Sequence, residues 1–595
     1  MKLAPFDWMV MAAYGLVVLI VGLWFTRRAG QSTTEYFLGG RNIPWWVLGT
    51  SMVATTFSTD TPNLVTDIVR TSGVSGNWVW WAFVLTGMLT VFFYARLWRR
   101  SGVLTDMQFY ELRYSGRPAA FLRGFRAVYL GVFFNVVIMA TVTLAAIKIG
   151  GVLLSVEPLT VVAVAGSITL LYSATSGLLG VVATDLVLFA VAMVGSVGAA
   201  VVAVGHPKVG GLQSLMSNPD VVGRLSFLPD FGDPSTAVAV FIVPIAVQWW
   251  STWYPGSEPG GGGYAAQRML AARNETDALK AVLWFNVAHY ALRPWPWVIV
   301  ALASVVVYPD LAALREAFPN IDASIVRNDL AYPAMLTFLP AGLLGLVVAS
   351  LAAAYMSTIS THLNWGASYV VEDVYRRFVA SDRDEAHYVR VARVTTVALT
   401  LLMGVVALQL ESALQAFQIL LQIGAGTGLV FLLRWFWWRI NAWSEISAMV
   451  ISFAVALWFA FAHTAAGFAP LDPSLQLVFG VVITTAGWLA VTFATRPTER
   501  ATLESFYRLI RPMGRGWRQI VGLETGMPES DHTPEVGALT RGVASWFFAC
   551  VAVYGTLFAT GFWLYGTRPV ALLLGVVALA SAIAVARLMP REVMT

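Results

Sequence analysis

Long apolar runs separated by short polar segments occupy most of the chain. Fifteen runs approach or exceed the roughly 20 residues that a helix needs to cross a bilayer. They lie at about 7–26, 45–70, 76–97, 125–150, 159–176, 178–204, 236–254, 279–306, 332–376, 387–409, 412–436, 445–463, 474–494, 542–564 and 568–588. The ninth run is too long for one crossing, so we expect a short helix before it and a cytoplasmic extension ending near Arg377. The pattern predicts an all-α polytopic membrane protein.

The second run carries polar residues in its middle, where a membrane helix is normally apolar. Residues 52–65 contain four threonines together with Ser58, Asp60 and Pro62. Proline has no backbone N–H and its ring clashes with the preceding turn, so we expect the helix to break near residues 57–62. A carboxylate at bilayer depth is costly and usually functional. The stretch therefore predicts a site for an ion or a small solute, with Asp60 as a candidate residue.

The seventh run is interrupted more severely. Residues 249–264 read WWSTWYPGSEPGGGGY, in which two prolines and five glycines oppose a helix, and a helical pattern resumes at 265–274. The two broken runs lie five runs apart, which predicts two five-helix units of opposite orientation, at 44–204 and 236–440. Paired broken helices in inverted repeats are typical of secondary transporters. The alternative is that 255–263 is only a glycine-rich loop between ordinary helices.

The remaining segments are additions to these two units. We expect one extra span and a loop at 1–43, an extracellular loop at 205–235, and about four C-terminal spans at 441–595, with a basic cytoplasmic loop at 495–541. Within that loop, residues 498–511 place apolar side chains at helical spacing beside arginines. This pattern predicts an amphipathic helix at the membrane surface, and a solvated basic linker is the alternative.

The distribution of basic residues predicts the orientation. With the N-terminus outside, 29 of the 38 Lys and Arg residues lie in inside segments and 8 lie outside, while Arg293 lies within a span. Basic loops favour the cytoplasmic side, so we expect the N-terminus outside and the C-terminus inside. The chain has 595 residues, of which 58% are hydrophobic and 12% charged, and the mean hydropathy is +0.69. The net charge of +5 therefore does not indicate nucleic-acid binding, and the single Cys550 excludes an intramolecular disulfide or a cysteine-based metal cluster.

The ninth run has a polar face. Ser357, Thr358, Ser360 and Thr361 place four hydroxyl groups within five residues. Hydroxyl oxygens, together with carbonyl oxygens freed at a helix break, are ligands that suit Na⁺. The alternative is that these hydroxyls donate hydrogen bonds back to carbonyls of their own helix.

Three charged residues within the apolar runs are further candidates. Asp185 is either an ion ligand or relay, or it has a structural role as a cap or as the partner of a loop arginine. Glu258 faces an aqueous cavity or lies at a loop surface. Arg293 contacts an acidic group of a substrate, neutralises Asp60 or Glu258, snorkels, or pairs structurally. His289 and His362 lack metal-ligand spacing and give no support to proton coupling.

Several motifs resemble the solute:sodium symporter family, over about residues 8–460. They are EYFLGGRNIPWW at 35–46, GLLGVVATD at 177–185, AAQRMLAAR at 265–273, and MSTIST at 356–361 followed by EDVY at 372–375. The resemblance implies a LeuT-type fold of five plus five helices in an inverted repeat.

The resemblance also implies sodium sites. In the family, carbonyl oxygens of the broken first core helix and of the eighth core helix join two adjacent hydroxyls of the eighth. The matching positions here are Ala54, Phe57, Ala354, Ser357 and Thr358. Some members hold a second sodium ion, and the positions that match that site are Asp185, Ser360 and Thr361.

The substrate site departs from the family pattern, because the break at 255–263 is unusually long and core helix ten carries Gln418 and Gln422. From helix position alone, we expect the solute to contact Thr59, Asp60, Thr61, Trp80, Trp81, Trp249, Trp250 and Gln418, with Glu258 and Arg293 as additional candidates. Aromatic walls with a few polar groups suit a polar organic solute, although they are equally common as packing near membrane interfaces.

These features together predict a Na⁺-coupled symporter in the inner (plasma) membrane, surrounded by lipid. We expect it to import a small polar organic solute, such as a sugar, amino acid or organic acid, by alternating access. The alternatives are a membrane substrate sensor and an H⁺-coupled or uncoupled transporter of the same fold. The sequence shows no nucleophile–base pair and no metal-binding motif, so an enzyme is not expected.

Overall fold

The computed structural model describes residues 3–29, 32–254, 256–521 and 537–589, which form helices and connecting loops without a β-strand. The longer helices are α1 (Pro5–Ala29), α2 (Trp45–Thr56), α3 (Asp60–Ser72), α4 (Val74–Ser101), α5 (Gly116–Leu154), α6 (Pro158–Val204), α7 (Pro234–Ser251), α8 (Gly263–Ala271), α9 (Glu275–Val307), α10 (Leu343–Val379), α11 (Glu385–Ala407), α12 (Ala413–Ile423), α13 (Gly428–Phe436), α14 (Ala442–Ala465), α15 (Pro473–Ala494), α16 (Arg500–Ile510), α17 (Ala538–Leu564) and α18 (Arg568–Leu588). Shorter helices are Thr33–Leu38, Phe109–Arg113, Leu212–Ser217, Pro219–Val222, Leu311–Ala317, Ala331–Leu336 and Arg518–Val521.

Membrane-spanning helices dominate the part of the chain that the structure describes. Eleven are long and apolar enough to cross a membrane, and the pair Ala416–Ile423 and Gly428–Phe436, bent by 46°, forms a twelfth crossing if it is counted as one span. The expected all-α membrane fold is therefore confirmed. The count of fifteen spans and the orientation with the N-terminus outside stay predictions.

The break in the second predicted span is present. Helix α2 ends at Thr56 and α3 begins at Asp60. Pro62 falls in the first turn of α3, where the missing N–H is not needed by the helix. The proline therefore starts a new helix here rather than kinking a continuous one.

The break in the seventh predicted span is also present. At 252–254 and 256–262, between α7 and α8, the chain is non-helical, and Gly260 and Gly261 both have a φ of 78°. Residues that have a Cβ rarely adopt this backbone conformation. Contacts at the same place also leave little room for a Cβ atom, since the Trp98 indole donates to the Gly260 carbonyl at 2.8 Å. The glycine run thus permits a close approach between this loop and α4.

The fifth and sixth predicted spans lie within one continuous helix, α6. A straight helix of its 47 residues would be about 70 Å long, more than twice the roughly 30 Å apolar core of a bilayer. Its first part packs on α11, where Val162 lies beside Gly404, and its second part on α10, where Gly198 lies beside Leu343. The boundary between these two predicted spans, near residue 177, does not interrupt the helical backbone, and no proline follows the first residue of α6.

The ninth predicted span has the expected parts. The short helix Ala331–Leu336 precedes α10, and α10 continues to Val379. At the start of α10, the buried carboxylate of Asp7 accepts hydrogen bonds from the N–H groups of Gly342 and Gly345 at 2.6 and 2.7 Å. A carboxylate is favourable at a helix N-terminus, so the extra helix α1 is anchored on α10.

The amphipathic segment expected at 498–511 forms α16, and its location at the membrane surface stays a prediction. The Phe506 ring is buried, stacks on Trp517 with centroids 5.4 Å apart, and meets Phe109 edge-on at 5.7 Å. The apolar face therefore packs on the protein itself, which removes it from water as effectively as lipid would. Residues 522–536 of the predicted basic loop lie outside the described residues.

A buried ion pair joins α5 to the chain before α10. Lys148 donates to both oxygens of Asp329 at 2.8 and 2.6 Å, and the two side chains are 0% and 2% exposed. We expect Asp329→Asn to lower the free energy of unfolding by about 3–5 kcal/mol, because it leaves a buried ammonium without its counter-ion. Thermal unfolding of the purified protein in detergent measures this loss.

The matched control is Glu411→Gln, which breaks the nearby exposed pair with Arg327, whose side chains are 44% and 54% exposed. An exposed pair contributes about 0–1 kcal/mol. Equal losses in the two variants would contradict the structural importance of the Lys148 pair.

Candidate solute and sodium site

A cavity of about 110 Å³ lies where the two helix breaks meet α4, α5, α9, α10 and α12. Its polar lining is formed by Thr55, Thr56, Ser58, Asp60, Thr61, Ser257, His289, Arg293, Thr358 and His362. Its aromatic lining is formed by Trp80, Phe83, Tyr254, Tyr264, Phe285, Tyr290 and Phe417. The arrangement is typical of a small-molecule site, with apolar walls and a few converging polar groups.

Four of the residues predicted to contact solute line this cavity, namely Asp60, Thr61, Trp80 and Arg293. Thr61 donates its hydroxyl to the Thr56 carbonyl at 3.1 Å, which satisfies a backbone group freed at the break. The first turn of α3 therefore faces the cavity, and the contact of Asp60 with a solute stays a prediction.

The other predicted contacts lie outside the cavity in this conformation. Thr59 donates to the Leu351 carbonyl of α10 at 3.1 Å. Trp81 packs edge-on against Phe558 of α17, and Trp249 stacks on Trp546 of the same helix. The C-terminal helix α17 thus covers aromatic side chains that helix position alone directed toward the solute.

Two more predicted contacts are also placed elsewhere. The Trp250 indole donates to the carbonyl of Ala246, one turn earlier in its own helix, at 2.8 Å. Gln418 is exposed and lines a separate pocket together with Gln422 and Asp472. Both lie on faces of their helices that point away from the central cavity.

Arg293 holds the end of α2. Its guanidinium donates to the Val53 carbonyl at 3.3 Å and to the Thr56 hydroxyl at 3.1 Å, and Nη2 lies 3.2 Å from His289 Nε2. The guanidinium also lies 5.2 Å from the Trp297 ring centroid, a cation–π distance. A positive charge at a helix C-terminus is favourable, so Arg293 stabilises the half-helix where it stops.

Several polar atoms at the cavity have no hydrogen-bond partner. They are Ser58 Oγ, Asp60 Oδ1 and Arg293 Nε. Buried polar groups in proteins are nearly always satisfied. Unpaired groups around one cavity therefore indicate a ligand or ordered water at this place.

Two residues of the predicted principal sodium site contact neighbouring helices directly. Thr358 contacts the end of α2, and Ser357 contacts Asp185 within α6. The Thr358 hydroxyl donates to the Thr55 carbonyl at 2.8 Å, and the Ser357 hydroxyl donates to Asp185. The carbonyl of Ala54 accepts from the N–H of Phe57 at 3.0 Å. A hydroxyl that donates still has lone pairs, so these hydrogen bonds leave Ser357 and Thr358 able to bind a cation.

The residues predicted for a second sodium ion belong to the same network. Asp185 is fully buried and also accepts from the Ser51 hydroxyl at 2.5 Å. Arg268 donates to the Thr361 hydroxyl at 3.0 Å, and Ser360 donates back to the Ser357 carbonyl at 3.1 Å. Residue Ala354, predicted for the first site, is buried one turn before Thr358. The two predicted sites are thus joined through Ser357 rather than separate.

Glu258 is a buried carboxylate without a partner. It is 3% exposed, and neither oxygen accepts a hydrogen bond. It lies against Gly262 and Gly263 beside Asp106, which accepts from the Gly263 N–H at 2.9 Å and from the Tyr369 hydroxyl. Glu258 therefore faces the protein interior next to the glycine-rich break. It lies neither in the cavity nor at a loop surface, which are the two places that the sequence suggested.

Some residues of the site carried no clear sequence signal. Ser51 lies one turn before Thr55, a spacing that could have placed it on the polar face of α2. Arg268 lay in a recognised motif but had no assigned role. Tyr254, Tyr264 and Tyr290 line the cavity although they resemble ordinary aromatic packing in the sequence.

Two broken membrane helices that meet at a small polar cavity define a secondary transporter. The family model of the sodium:solute symporter family matches residues 36–452. The chain belongs to this family, which confirms the resemblance drawn from its motifs. It is a sodium-coupled symporter by family and not an enzyme.

The chain is similar to several characterised symporters. It is 27% identical to the sodium/glucose cotransporter of Vibrio parahaemolyticus, over 76% of this chain and 85% of that protein. It is 26% identical to sodium/myo-inositol cotransporter 2 of Oryctolagus cuniculus, over 85% and 79%. It is 23% identical to the sodium/sialic acid symporter of Proteus mirabilis (strain HI4320), over 76% and 88%.

A solved structure of a Na⁺-coupled sialic acid symporter, in a substrate-bound outward-open state, has the same fold. The TM-score is 0.65 with 19% sequence identity, and the match covers 83% of this chain and 99% of that one. The five-plus-five architecture expected from the two broken spans agrees with this likeness.

Asp106 and Glu258, the two buried carboxylates next to the glycine-rich break, offer a matched pair of substitutions. Asp106→Asn is expected to lower the free energy of unfolding by about 1–3 kcal/mol, because Asp106 accepts two hydrogen bonds. Glu258→Gln is expected to cause no loss, because it removes no hydrogen bond and no longer buries a charge. Thermal unfolding in detergent compares them, and an equal loss in both variants would show that Glu258 has a partner.

Proposed function

We propose that this protein imports a small polar organic solute across the inner (plasma) membrane, in symport with Na⁺, through the cavity between the two helix breaks. Membership of the sodium:solute symporter family supports the coupling ion. The cavity carries the rest of the proposal, because unpaired polar atoms of Ser58, Asp60 and Arg293 converge on it. These groups need a polar partner that water or a solute supplies.

The proposed sodium ligands are the residues that match the family motif, Ala54, Phe57, Ala354, Ser357 and Thr358. The Thr358 hydroxyl reaches the end of α2 at the Thr55 carbonyl, 2.8 Å away, which supports a site shared by α2 and α10. Oxygen atoms of hydroxyls and carbonyls suit a hard cation. Sodium bound there would hold the end of α2 against α10, next to the solute.

Coupling to sodium supplies the energy for accumulation. One charge that moves inward across about 100 mV contributes about 2.3 kcal/mol. Since about 1.4 kcal/mol changes an equilibrium tenfold, one sodium ion supports roughly fortyfold accumulation before the sodium gradient is counted.

Uptake into proteoliposomes tests the proposal. The purified protein is reconstituted, and uptake of labelled solutes is compared under an inward Na⁺ gradient, an inward H⁺ gradient and no gradient. We expect uptake that requires Na⁺ and is faster with a negative interior. Uptake that follows H⁺ alone, or is equal without any gradient, would instead support the alternative coupling modes.

The first substitution test concerns the principal sodium site. We expect Thr358→Ala to raise the Na⁺ concentration for half-maximal uptake at least tenfold, because it removes a ligand oxygen and the link to α2. Ser368→Ala is the matched control, since Ser368 lies on the same helix and its buried hydroxyl only donates back to the Trp365 carbonyl. Equal Na⁺ dependence in both variants would contradict the assigned site.

The second substitution test concerns the number of sodium ions. If Asp185, Ser360 and Thr361 hold a second ion, Asp185→Asn should lower the Hill coefficient for Na⁺ from about two to about one. This change removes a charge while leaving an oxygen that can accept from Ser51 or Ser357. A wild-type Hill coefficient of one would contradict the second site and leave the first unaffected.

A further inference from the structure

The central cavity contains one negative and one positive side chain, which attract each other across the cavity without forming a direct ion pair. Among the lining residues, Asp60 is the carboxylate and Arg293 the guanidinium. Within the part of the chain that the structure describes, neither forms an ion pair within 4 Å. Buried charges are normally paired, as Lys148 and Asp329 are in this protein.

The acceptors around Arg293 are all neutral. They are the Val53 carbonyl, the Thr56 hydroxyl and a nitrogen of His289. These contacts fix the guanidinium at the cavity wall without neutralising its charge. Its Nε has no partner, so one donor of the group remains available to a ligand.

The hydrogen-bond pattern makes His289 neutral. Because arginine only donates, His289 Nε2 must accept from Arg293, and Nδ1 must carry the proton toward Thr56 Oγ1 at 2.9 Å. The His289 ring then supplies no charge that could balance Asp60. The second histidine of the cavity, His362, is held by Asn135: the Asn135 amide nitrogen donates to two carbonyls, so its oxygen accepts from His362 Nδ1 at 2.6 Å.

We infer that the transported solute is a small zwitterion, whose cationic nitrogen lies toward Asp60 and whose carboxylate lies toward Arg293. This inference rests on the proposed function of the cavity. A zwitterion between Asp60 and Arg293 gives each of them a direct partner of opposite charge. A neutral polyol supplies hydrogen bonds but no counter-charge, an anion is repelled by Asp60, and a cation is repelled by Arg293.

The walls and the size of the cavity agree with this class of solute. Aromatic rings attract cationic nitrogen, and the lining includes Trp80, Tyr254, Tyr264 and Tyr290. A cavity of about 110 Å³ is smaller than the roughly 300–1,000 Å³ of sites for drug-sized ligands. The solute is therefore of the size of an amino acid or a betaine rather than of a disaccharide.

Isosteric probes separate the charge classes at nearly constant shape. Glycine betaine carries both charges, 3,3-dimethylbutanoate replaces its nitrogen by carbon and keeps the carboxylate, and choline keeps the nitrogen without the carboxylate. L-Proline and β-alanine extend the zwitterions, and D-glucose and myo-inositol represent neutral polyols. Uptake of each probe is measured in proteoliposomes of the wild-type chain with and without an inward Na⁺ gradient.

We expect Na⁺-dependent uptake of at least one zwitterion, at least tenfold faster than that of any singly charged or neutral probe. Na⁺-dependent uptake of a polyol, an anion or choline at a comparable rate would overturn the inference and leave Na⁺-coupled symport standing. Na⁺-independent behaviour of every probe would overturn both the inference and the proposed function.

A substitution at Asp60 tests the charge argument itself. We expect Asp60→Asn to lower zwitterion uptake at least tenfold and to raise uptake of the anionic isostere 3,3-dimethylbutanoate, because the repelling carboxylate is gone. Asp60→Glu, which keeps the charge, should retain the preference for zwitterions. If Asp60→Asn lowers uptake of all probes equally while Na⁺ still raises its thermal stability, Asp60 and Arg293 balance each other across the cavity and the inference is wrong.

Discussion

A helix that stops inside a membrane frees backbone groups that lipid cannot satisfy, and the structure depends on how those groups are paired. At the end of α2, Arg293 and Thr358 donate to the carbonyls of Val53 and Thr55, and Thr61 donates to that of Thr56. Helices α9, α10 and α3 thus converge on one helix end. The cavity exists because these donors hold the break open instead of letting the helix continue.

The same constraint explains why the proposed sodium and solute sites are neighbours. The face of α10 that satisfies the end of α2 also carries Ser357, whose hydroxyl reaches Asp185 on α6. A cation bound to these hydroxyls would change the contacts of α2. The break that follows α2 leads directly to Asp60, the first residue of α3. Coupling between ion and solute therefore requires no long pathway, since both act on the two sides of one break.

Ion pairs that join the helices of the scaffold differ from the charges at the cavity. Lys148 and Asp329 form a closed pair that ties α5 to the chain before α10, and Arg123 and Asp373 form another at 2.7 Å. At the cavity, by contrast, Asp60 and Arg293 form no direct ion pair within 4 Å. A protein loses much of its stability when one partner of a buried ion pair is removed. The ion pairs therefore keep the scaffold rigid, while the charges at the cavity stay available to a ligand.

The sequence by itself determined the membrane class, both breaks, the polar face of α10 and the family, because proline, glycine and apolar run length act locally. It also predicted Asp60 as a site residue, since a carboxylate within an apolar run needs a partner. Only the tertiary structure decided which neighbours meet. It turned Trp81 and Trp249 toward α17, tied His289 to Arg293, and packed α16 on the protein. Helical periodicity shows which residues share a face, but the helix that covers this face is chosen by packing among distant segments.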